Sequence, residues 1–225
     1  MYDIIFLGDN MYKFNYSKMN RVIDNVKVNL TSLSNSEDII NVLGGAVLFF
    51  DDALDKADNL DSKLNVDYVN YFYREIFNIA MSTSNIEIIN PVSDMLINKL
   101  TVKVGKKKNN PYFNLMIDIL ILNALTFVQF SIIDGAKDYF DRAIKLGDKY
   151  LKDSIKNYHD SLCCACNWLG YIYLKEDNNK DALTYYEKTY SLYESVKDME
   201  GFYFKEYDPV DVSKRIDELK KDISE

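Results

Sequence analysis

The sequence is short of the residues from which most catalytic and metal sites are built. It contains one histidine, His159, and three cysteines, all between positions 163 and 166. An odd, clustered set of cysteines is no disulfide framework, and a metal site would need further ligands nearby. A single histidine also excludes most histidine-based catalytic constellations. We therefore predict no enzyme activity, no metal and no cofactor, and we expect Cys163, Cys164 and Cys166 to be thiols buried in a helix seam.

A basic surface is also missing. The chain has 27 lysines and arginines against 35 aspartates and glutamates, a net charge of −8 at pH 7. Nucleic-acid binding requires a basic face, so this balance predicts no nucleic-acid partner. The apolar stretch 1–12 has no basic region of the kind that begins a secretory signal. With reduced thiols, this predicts a cytoplasmic protein.

No segment predicts a membrane span. The most apolar window, Leu115–Ile133, is about long enough to cross a membrane, but it carries Asp118, Asn123 and Gln129. Polar side chains are costly in the hydrocarbon region of a bilayer. We therefore interpret this window as a central buried helix, and we predict no membrane partner.

Proline is scarce, and each proline is placed where a helix can begin. The three prolines are Pro91, Pro111 and Pro209, and each follows an asparagine or aspartate. Such residues cap helices well, and proline at the first helical position loses no needed donor. The spacings Ser34-x-x-Glu37 and Ser84-x-x-Glu87 predict two more helix starts through capping boxes.

Sustained alternation of apolar and polar residues is also absent, apart from a short stretch at 2–7. Helical spacing of apolar residues dominates instead, so the sequence predicts an all-α fold. The one clear composition break is the lysine-rich loop 105–110. About nine helices are expected, at Tyr16–Leu30, Glu37–Leu60, Val66–Met81, Pro91–Val102, Pro111–Ile133, Ala136–Lys149, Ser154–Leu174, Lys180–Val196 and Pro209–Asp222.

One spacing recurs in three of these helices: a small residue, an aromatic four positions later, and a small residue three positions after that. Positions i, i+4 and i+7 share one helix face, so a neighbouring helix can approach closely at the small residues. Units of this kind cannot bury that face alone and are expected to stack. The three sets are Ala46/Phe50/Ala53, Ala136/Phe140/Ala143 and Ala182/Tyr186/Thr189.

The last set follows Leu169-Gly170-x-x-Tyr173, and together they resemble one tetratricopeptide (TPR) repeat. The resemblance is best over residues 163–189 and partial over 117–143. The two matching alanines, Ala136 and Ala182, are 46 residues apart, against about 34 in the family. The resemblance implies a right-handed stack of antiparallel helix pairs, an α-solenoid. We expect a single domain over 1–225, with divergent helices at 1–104, TPR-like pairs at 111–196 and a capping helix at 209–222.

In TPR proteins the first helices of successive pairs line a groove that binds peptide. The resemblance therefore implies a non-enzymatic protein- or peptide-binding scaffold or adaptor, with a partner of unknown identity. Its candidate peptide-binding residues are Asn167, Tyr171 and Lys175 in one unit and Asp118 and Gln129 in the preceding one, with Leu174, Ile121 and Leu125 at neighbouring groove positions and Asn123 as a further candidate.

Two alternatives stay open. Tyr73-Arg74 and Leu122-Asn123, in an acidic helical chain, resemble the 14-3-3 phosphopeptide adaptors. That family holds phosphate with a basic triad, whereas the helix that should supply it carries Asp51 and Asp52 with only Lys56 basic. The second alternative is a peptide-sensing regulatory module whose output domain is another chain. Homo-oligomerisation is also left open.

Two charged runs are interpreted as solvated surface. The adjacent carboxylates Asp51 and Asp52 are expected on an exposed acidic helix face instead of in a catalytic pair. The run Lys106–Lys108 has no interleaved aromatic residue, so it is expected to be a solvated loop.

Overall fold

The described part of the chain is entirely helical. The structure, a computed structural model, describes residues 16–55, 62–104, 112–150, 159–195, 197 and 208–224. Within these ranges it has nine α-helices and no strand, which confirms the all-α prediction. The predicted helix starts at Pro111 and Ser154 and the lysine run at 106–108 lie outside them. The helices are α1 (Tyr16–Leu30), α2 (Ser36–Asp55), α3 (Ser62–Ser82), α4 (Ile86–Val104), α5 (Tyr112–Gln129), α6 (Ile133–Tyr150), α7 (His159–Lys175), α8 (Asn179–Glu194) and α9 (Pro209–Ser224).

The chain forms two compact units. Unit 1 comprises Met1–Lys103 and unit 2 comprises Val104–Glu225. The boundary lies beside the composition break at 105–110. The prediction of a single domain over 1–225 stays a prediction.

In unit 1 the first and third helices run side by side in the same direction. Near their starts the Tyr68 hydroxyl donates to the Tyr16 carbonyl at 3.0 Å. Further along, Lys27 Nζ lies 3.0 Å from Glu75 Oε2. Because the contacts follow the same order along both helices, α1 and α3 are parallel.

The second and fourth helices of unit 1 are related in the same way. Asn85, which precedes α4, donates through Nδ2 to Ser36 Oγ at the start of α2, at 3.2 Å. Toward the other end Lys99 Nζ lies 3.1 Å from Asp51 Oδ2. Thus α2 and α4 are also parallel. Helix α1 packs against α2, and α3 and α4 are joined by the short turn 83–85.

Unit 2 repeats this arrangement with α5/α6 and α7/α8. The Tyr185 hydroxyl of α8 donates to Asp141 Oδ1 of α6 at 2.8 Å. Later in both helices, Lys188 Nζ lies 2.5 Å from Asp148 Oδ2. These contacts show that α6 and α8 are parallel. Since α5 packs against α6 and α7 against α8 across tight turns, α5 and α7 are parallel as well.

The closest approach of the last pair is made possible by a glycine. A Cβ atom added to Gly170 of α7 would lie 2.9 Å from Cδ1 of Tyr186 on α8. Tyr186 is fully buried, and so are Ala182 and Thr189 on the same helix face. The small–aromatic–small spacing therefore does mark a packed face, as its periodicity predicts.

The final helix, α9, lies against α8. Its one buried stripe joins the core cluster of that helix, in which Val212, Ile216 and Leu219 pack with Ala182 and Tyr186. Arg215 Nη1 also donates to the Tyr186 hydroxyl at 3.0 Å. The rest of α9 is polar or exposed, as predicted for 209–222.

Three of the turns between paired helices share one backbone feature. Each contains a non-glycine residue with positive φ: Ser84 at 50°, Ser131 at 59° and Asp177 at 58°. These residues are 47 and then 46 residues apart in sequence. In the last two turns, the residue after the positive-φ residue donates its N–H to a carbonyl five residues earlier, at 2.9 Å, as in a Schellman motif. The same turn conformation thus recurs between α3 and α4, between α5 and α6, and between α7 and α8.

The turn geometry also shows which residues occupy equivalent positions at the start of the second helix of each pair. Ala136 and Ala182 each donate their N–H to the carbonyl of the residue just before α6 and α8, respectively. Ile89 donates in the same way to the carbonyl of the residue just before α4. In α2 that position is taken by Ile39. The similarly spaced Ala46 therefore lies seven residues, about two turns, further into its helix. It is buried but is not the structural equivalent of the other two alanines.

Two helices of unit 1, α2 and α4, are capped by an asparagine that lies one residue after the serine predicted as the cap. Asn35 Oδ1 accepts from the Glu37 N–H at 2.8 Å, and Asn85 Oδ1 accepts from the Glu87 N–H at 2.9 Å. Ser84 instead adopts the positive φ of the turn. The predicted serine caps were wrong by one residue. In each Ser-Asn pair it is the asparagine side chain that accepts from a first-turn N–H with no partner inside the helix.

The predicted helix start at Pro91 is also wrong. Helix α4 begins at Ile86, so Pro91 lies inside it, where its missing N–H removes one helical hydrogen bond. Pro209, by contrast, does begin α9, and Asp208 Oδ1 accepts from the Val210 N–H at 2.8 Å.

Candidate functional site

The first helices of the two pairs in unit 2 present a common surface, which we name the α5/α7 face. On α5 it contains residues at i, i+4, i+7 and i+11, and on α7 residues at i, i+3 and i+7, so each set lies along one side of its helix. The two sides meet where Ser161 Oγ of α7 donates to Asp118 Oδ1 of α5 at 3.2 Å. The face consists of Asp118, Leu122, Leu125, Gln129, Trp168, Tyr171 and Lys175.

The α7 side of this face is aromatic and partly open to solvent. Tyr171 is 39% exposed, and its ring meets that of Trp168 edge-on at a centroid distance of 5.9 Å. Lys175 Nζ lies 5.5 Å from the centroid of the Tyr171 ring, within cation–π range. Amphipathic aromatic rings with an adjacent cation are the side chains that protein interfaces use most.

The α5 side is aliphatic in the middle and polar at both ends. Leu122 is 38% exposed and Leu125 is half-buried. Gln129 is exposed at the last residue of the helix. Asp118 is half-buried beside Ser161. The α5/α7 face thus offers apolar contact area flanked by groups that can hydrogen-bond a peptide backbone.

The structure brings together most but not all of the predicted groove residues. Asn167 is half-buried beside this surface. Asn123 is fully buried and Ile121 is 5% exposed, so neither side chain reaches solvent. Leu174 packs against the core cluster between α8 and α9. Trp168 was not among the predicted residues, although its helical spacing to Tyr171 and Lys175 was a usable signal.

The cysteines behave as packing residues. Cys163, Cys164 and Cys166 are reduced thiols and all three are buried. Burial raises the pKa of the Cys166 thiol. A protonated, buried thiol is neither a nucleophile nor a metal ligand at neutral pH. No group of three or more histidine, cysteine, aspartate or glutamate side chains in the described ranges is arranged to hold a metal ion.

Asp51 is not on a solvated acidic face, and that prediction was wrong. Its side chain is buried in unit 1, where the Tyr73 hydroxyl donates to Oδ1 at 2.5 Å. Lys99 Nζ lies 3.1 Å from Oδ2, and Lys103 Nζ lies 3.3 Å from Oδ1. One carboxylate of α2 therefore connects α3 and α4. Asp52 next to it is exposed, as predicted.

Among the described residues, one helix is long and apolar enough to cross a membrane. It is α5, Tyr112–Gln129, with a mean hydropathy of 1.5, and 61% of that window is buried inside the protein. The core helix of a soluble protein passes the same test, so length and composition carry little weight here. Its burial agrees with the interpretation of this segment as a central helix.

Comparison with known proteins gives no relative from which a function can be transferred. No protein-family model matches the chain, and no curated protein matches it.

Proposed function

We propose that the chain is a non-enzymatic scaffold that binds a protein or peptide segment on the α5/α7 face. The observation that supports this most is the partly exposed aromatic group of Trp168 and Tyr171, next to Lys175. Exposed aromatic rings are costly on a surface that contacts only water, but they provide large contact areas when a partner covers them.

The proposed architecture is a TPR-like right-handed stack of antiparallel helix pairs. It is supported by the parallel neighbours in each unit and by the recurring positive-φ turns at 47- and 46-residue spacing. In such a stack the first helix of each pair faces the binding groove, and α9 covers the open end of the last pair. This architecture accounts for a partly exposed apolar surface that is aliphatic on α5 and aromatic on α7.

The experiment is capture of partners from a native lysate by the tagged full chain, quantified by mass spectrometry. The Trp168→Ala/Tyr171→Ala double variant should reduce capture of the specific partner about tenfold or more, because interface aromatics contribute about 2 kcal/mol each. Circular dichroism should show that the variant remains helical. The matched control is Val210→Ala/Ile223→Ala, which removes two similarly exposed apolar side chains from α9.

Unchanged capture by the Trp168/Tyr171 variant would contradict the proposal. An equal loss with the α9 control would also contradict it, because the effect would then not depend on the α5/α7 face.

The phosphopeptide-binding alternative gains no support from the described residues. Two lysines of unit 1, Lys99 and Lys103, are placed against the Asp51 carboxylate, which lowers the positive potential that a phosphate would require. The peptide-sensing alternative is compatible with the same α5/α7 face and would differ in what the bound peptide controls.

A further inference from the structure

Unit 1 contains an open groove at the end where α1 and α3 terminate. Its volume is about 490 Å³, within the range of small-ligand and side-chain sites. The floor is aliphatic: Ile39 and Ile79 are nearly buried, and Leu30 is half-buried. The groove can therefore cover an apolar stem of moderate length.

The rim of the groove is rich in hydrogen-bond acceptors. The Thr31 hydroxyl donates to the Val28 carbonyl and the Ser82 hydroxyl donates to the Ile79 carbonyl, each at 2.7 Å. A hydroxyl has one hydrogen, so each of these oxygens can only accept further bonds. The exposed amide of Asn78 adds one more acceptor.

The negative charge at the groove comes from one carboxylate and two helix ends, and one lysine already contacts that carboxylate. Two helices, α1 and α3, end at residues that line it, and helix C-termini carry a partial negative charge. The Glu75 carboxylate also lines the groove and has room for several hydrogen bonds. Its partner is Lys27, whose side chain is 50% exposed and whose Nζ lies 3.0 Å from Oε2. The hydrogen bond to Glu75 raises the pKa of Lys27.

This ion pair is the kind that a ligand can displace. Exposed lysine–carboxylate pairs contribute little net stability, about 0–1 kcal/mol in general, because water and side-chain freedom compete with them. A guanidinium can bind a carboxylate with two parallel hydrogen bonds and still has N–H groups for other acceptors. The lysine ammonium is a compact charge, so it can contact fewer of these separated acceptors at once than a guanidinium can.

We propose that this groove binds an arginine side chain of a peptide, with its guanidinium on Glu75 and its stem over Leu30, Ile39 and Ile79. The Thr31 and Ser82 hydroxyl oxygens accept its remaining N–H groups. The site rests on the proposed function only in that its ligand is a peptide. It lies in unit 1 and uses no residue of the α5/α7 face.

The test is titration of the full chain with acetyl-Leu-Arg-Gly-amide, followed through the NMR signals of the Leu30, Ile39 and Ile79 methyl groups. We expect saturable shifts with a Kd of about 1 mM. The same peptide with citrulline, a neutral isostere of arginine, should bind about tenfold more weakly, because it loses the charge-assisted pair. Methyl groups of Leu169 and Ile172 in unit 2 should not shift.

Two variants separate this proposal from a merely structural role of the ion pair. Glu75→Gln should weaken binding about tenfold, because it removes the carboxylate. Lys27→Met keeps the apolar stem and removes the competing cation, so it should tighten binding about threefold or more. Loss of a structural ion pair would instead weaken binding in both variants.

The proposal is overturned if the methyl signals show no saturable shift, if the citrulline peptide binds equally well, or if Lys27→Met weakens binding. The Trp168→Ala/Tyr171→Ala variant should bind the arginine peptide normally. If that variant loses its partner while the peptide fails to bind, only the arginine site is refuted. If the peptide binds while partner capture is unaffected, only the proposed function of the α5/α7 face is refuted.

Discussion

Replacing Gly170 with valine is expected to lower the free energy of unfolding of unit 2 by about 2–3 kcal/mol, because the added side chain overpacks a filled interior. A Cβ atom at this position would lie 2.9 Å from two ring carbons of Tyr186 and 3.1 Å from a third. The ring has little room to move, since it is fully buried and its hydroxyl accepts from Arg215. Urea denaturation monitored by Trp168 fluorescence reports this unit, because Trp168 is the only tryptophan in the chain.

The matched control is Gly45→Ala in α2. Gly45 is exposed, and a Cβ atom there would meet no other atom within 4 Å. Alanine should therefore stabilise the helix by about 0.5–1 kcal/mol, the usual advantage of alanine over glycine in a helix interior. Far-UV circular dichroism should give a higher urea midpoint for this variant. A Gly170→Val protein as stable as the wild type would show that α7 and α8 do not approach as closely as described.

Replacing Asp51 with alanine is expected to destabilise unit 1 by about 2–3 kcal/mol, less than for a fully buried ion pair because the lysines remain partly exposed. The change removes the acceptor of the buried Tyr73 hydroxyl. It also leaves Lys99 and Lys103 close together without the charge between them. Urea denaturation followed by far-UV circular dichroism measures the effect.

A double-mutant cycle with Tyr73→Phe isolates the hydroxyl contribution. Once Asp51 is alanine, removing the hydroxyl should cost much less than in the wild type, with a coupling of about 1 kcal/mol or more. The control is Asp55→Ala: Asp55 is exposed at the last residue of the same helix. A negative charge at a helix C-terminus is unfavourable, so this variant should be neutral within about 0.5 kcal/mol. Equal effects of the two aspartates would contradict the buried network.

Local patterns of the sequence were sufficient to predict where the helices lie and which helix faces are packed. The periodicity of apolar residues placed all nine described helices, and the small residues at 136, 170 and 182 marked where helices touch. Errors arose where two local signals competed. Asn90-Pro91 has the form of a helix start, but the cap at Asn85 begins α4 one turn earlier. Single-residue choices between neighbouring capping groups depend on backbone geometry that residue types do not fix.

Contacts between helices distant in sequence could not be predicted in the same way. Asp51 was interpreted as solvated because it is adjacent to Asp52 on an acidic helix face. Its partners come from α3 and α4, at residues 73, 99 and 103. Asn123 is the opposite case: it was predicted as a peptide-binding residue, whereas its side chain is fully buried. Residue type alone does not determine which side of a central helix is covered.

The most direct measurement of the proposed peptide-binding surface is site-specific photocrosslinking. Benzoylphenylalanine placed at residue 171, where a tyrosine ring already stands, should crosslink the full chain to a bound partner peptide. The same group at residue 184, an exposed threonine on α8, should give no crosslink to that partner. Crosslinking at 171 that is competed by unlabelled partner is the result we expect. Equal crosslinking at both positions, or crosslinking at 184 alone, would contradict binding on the α5/α7 face.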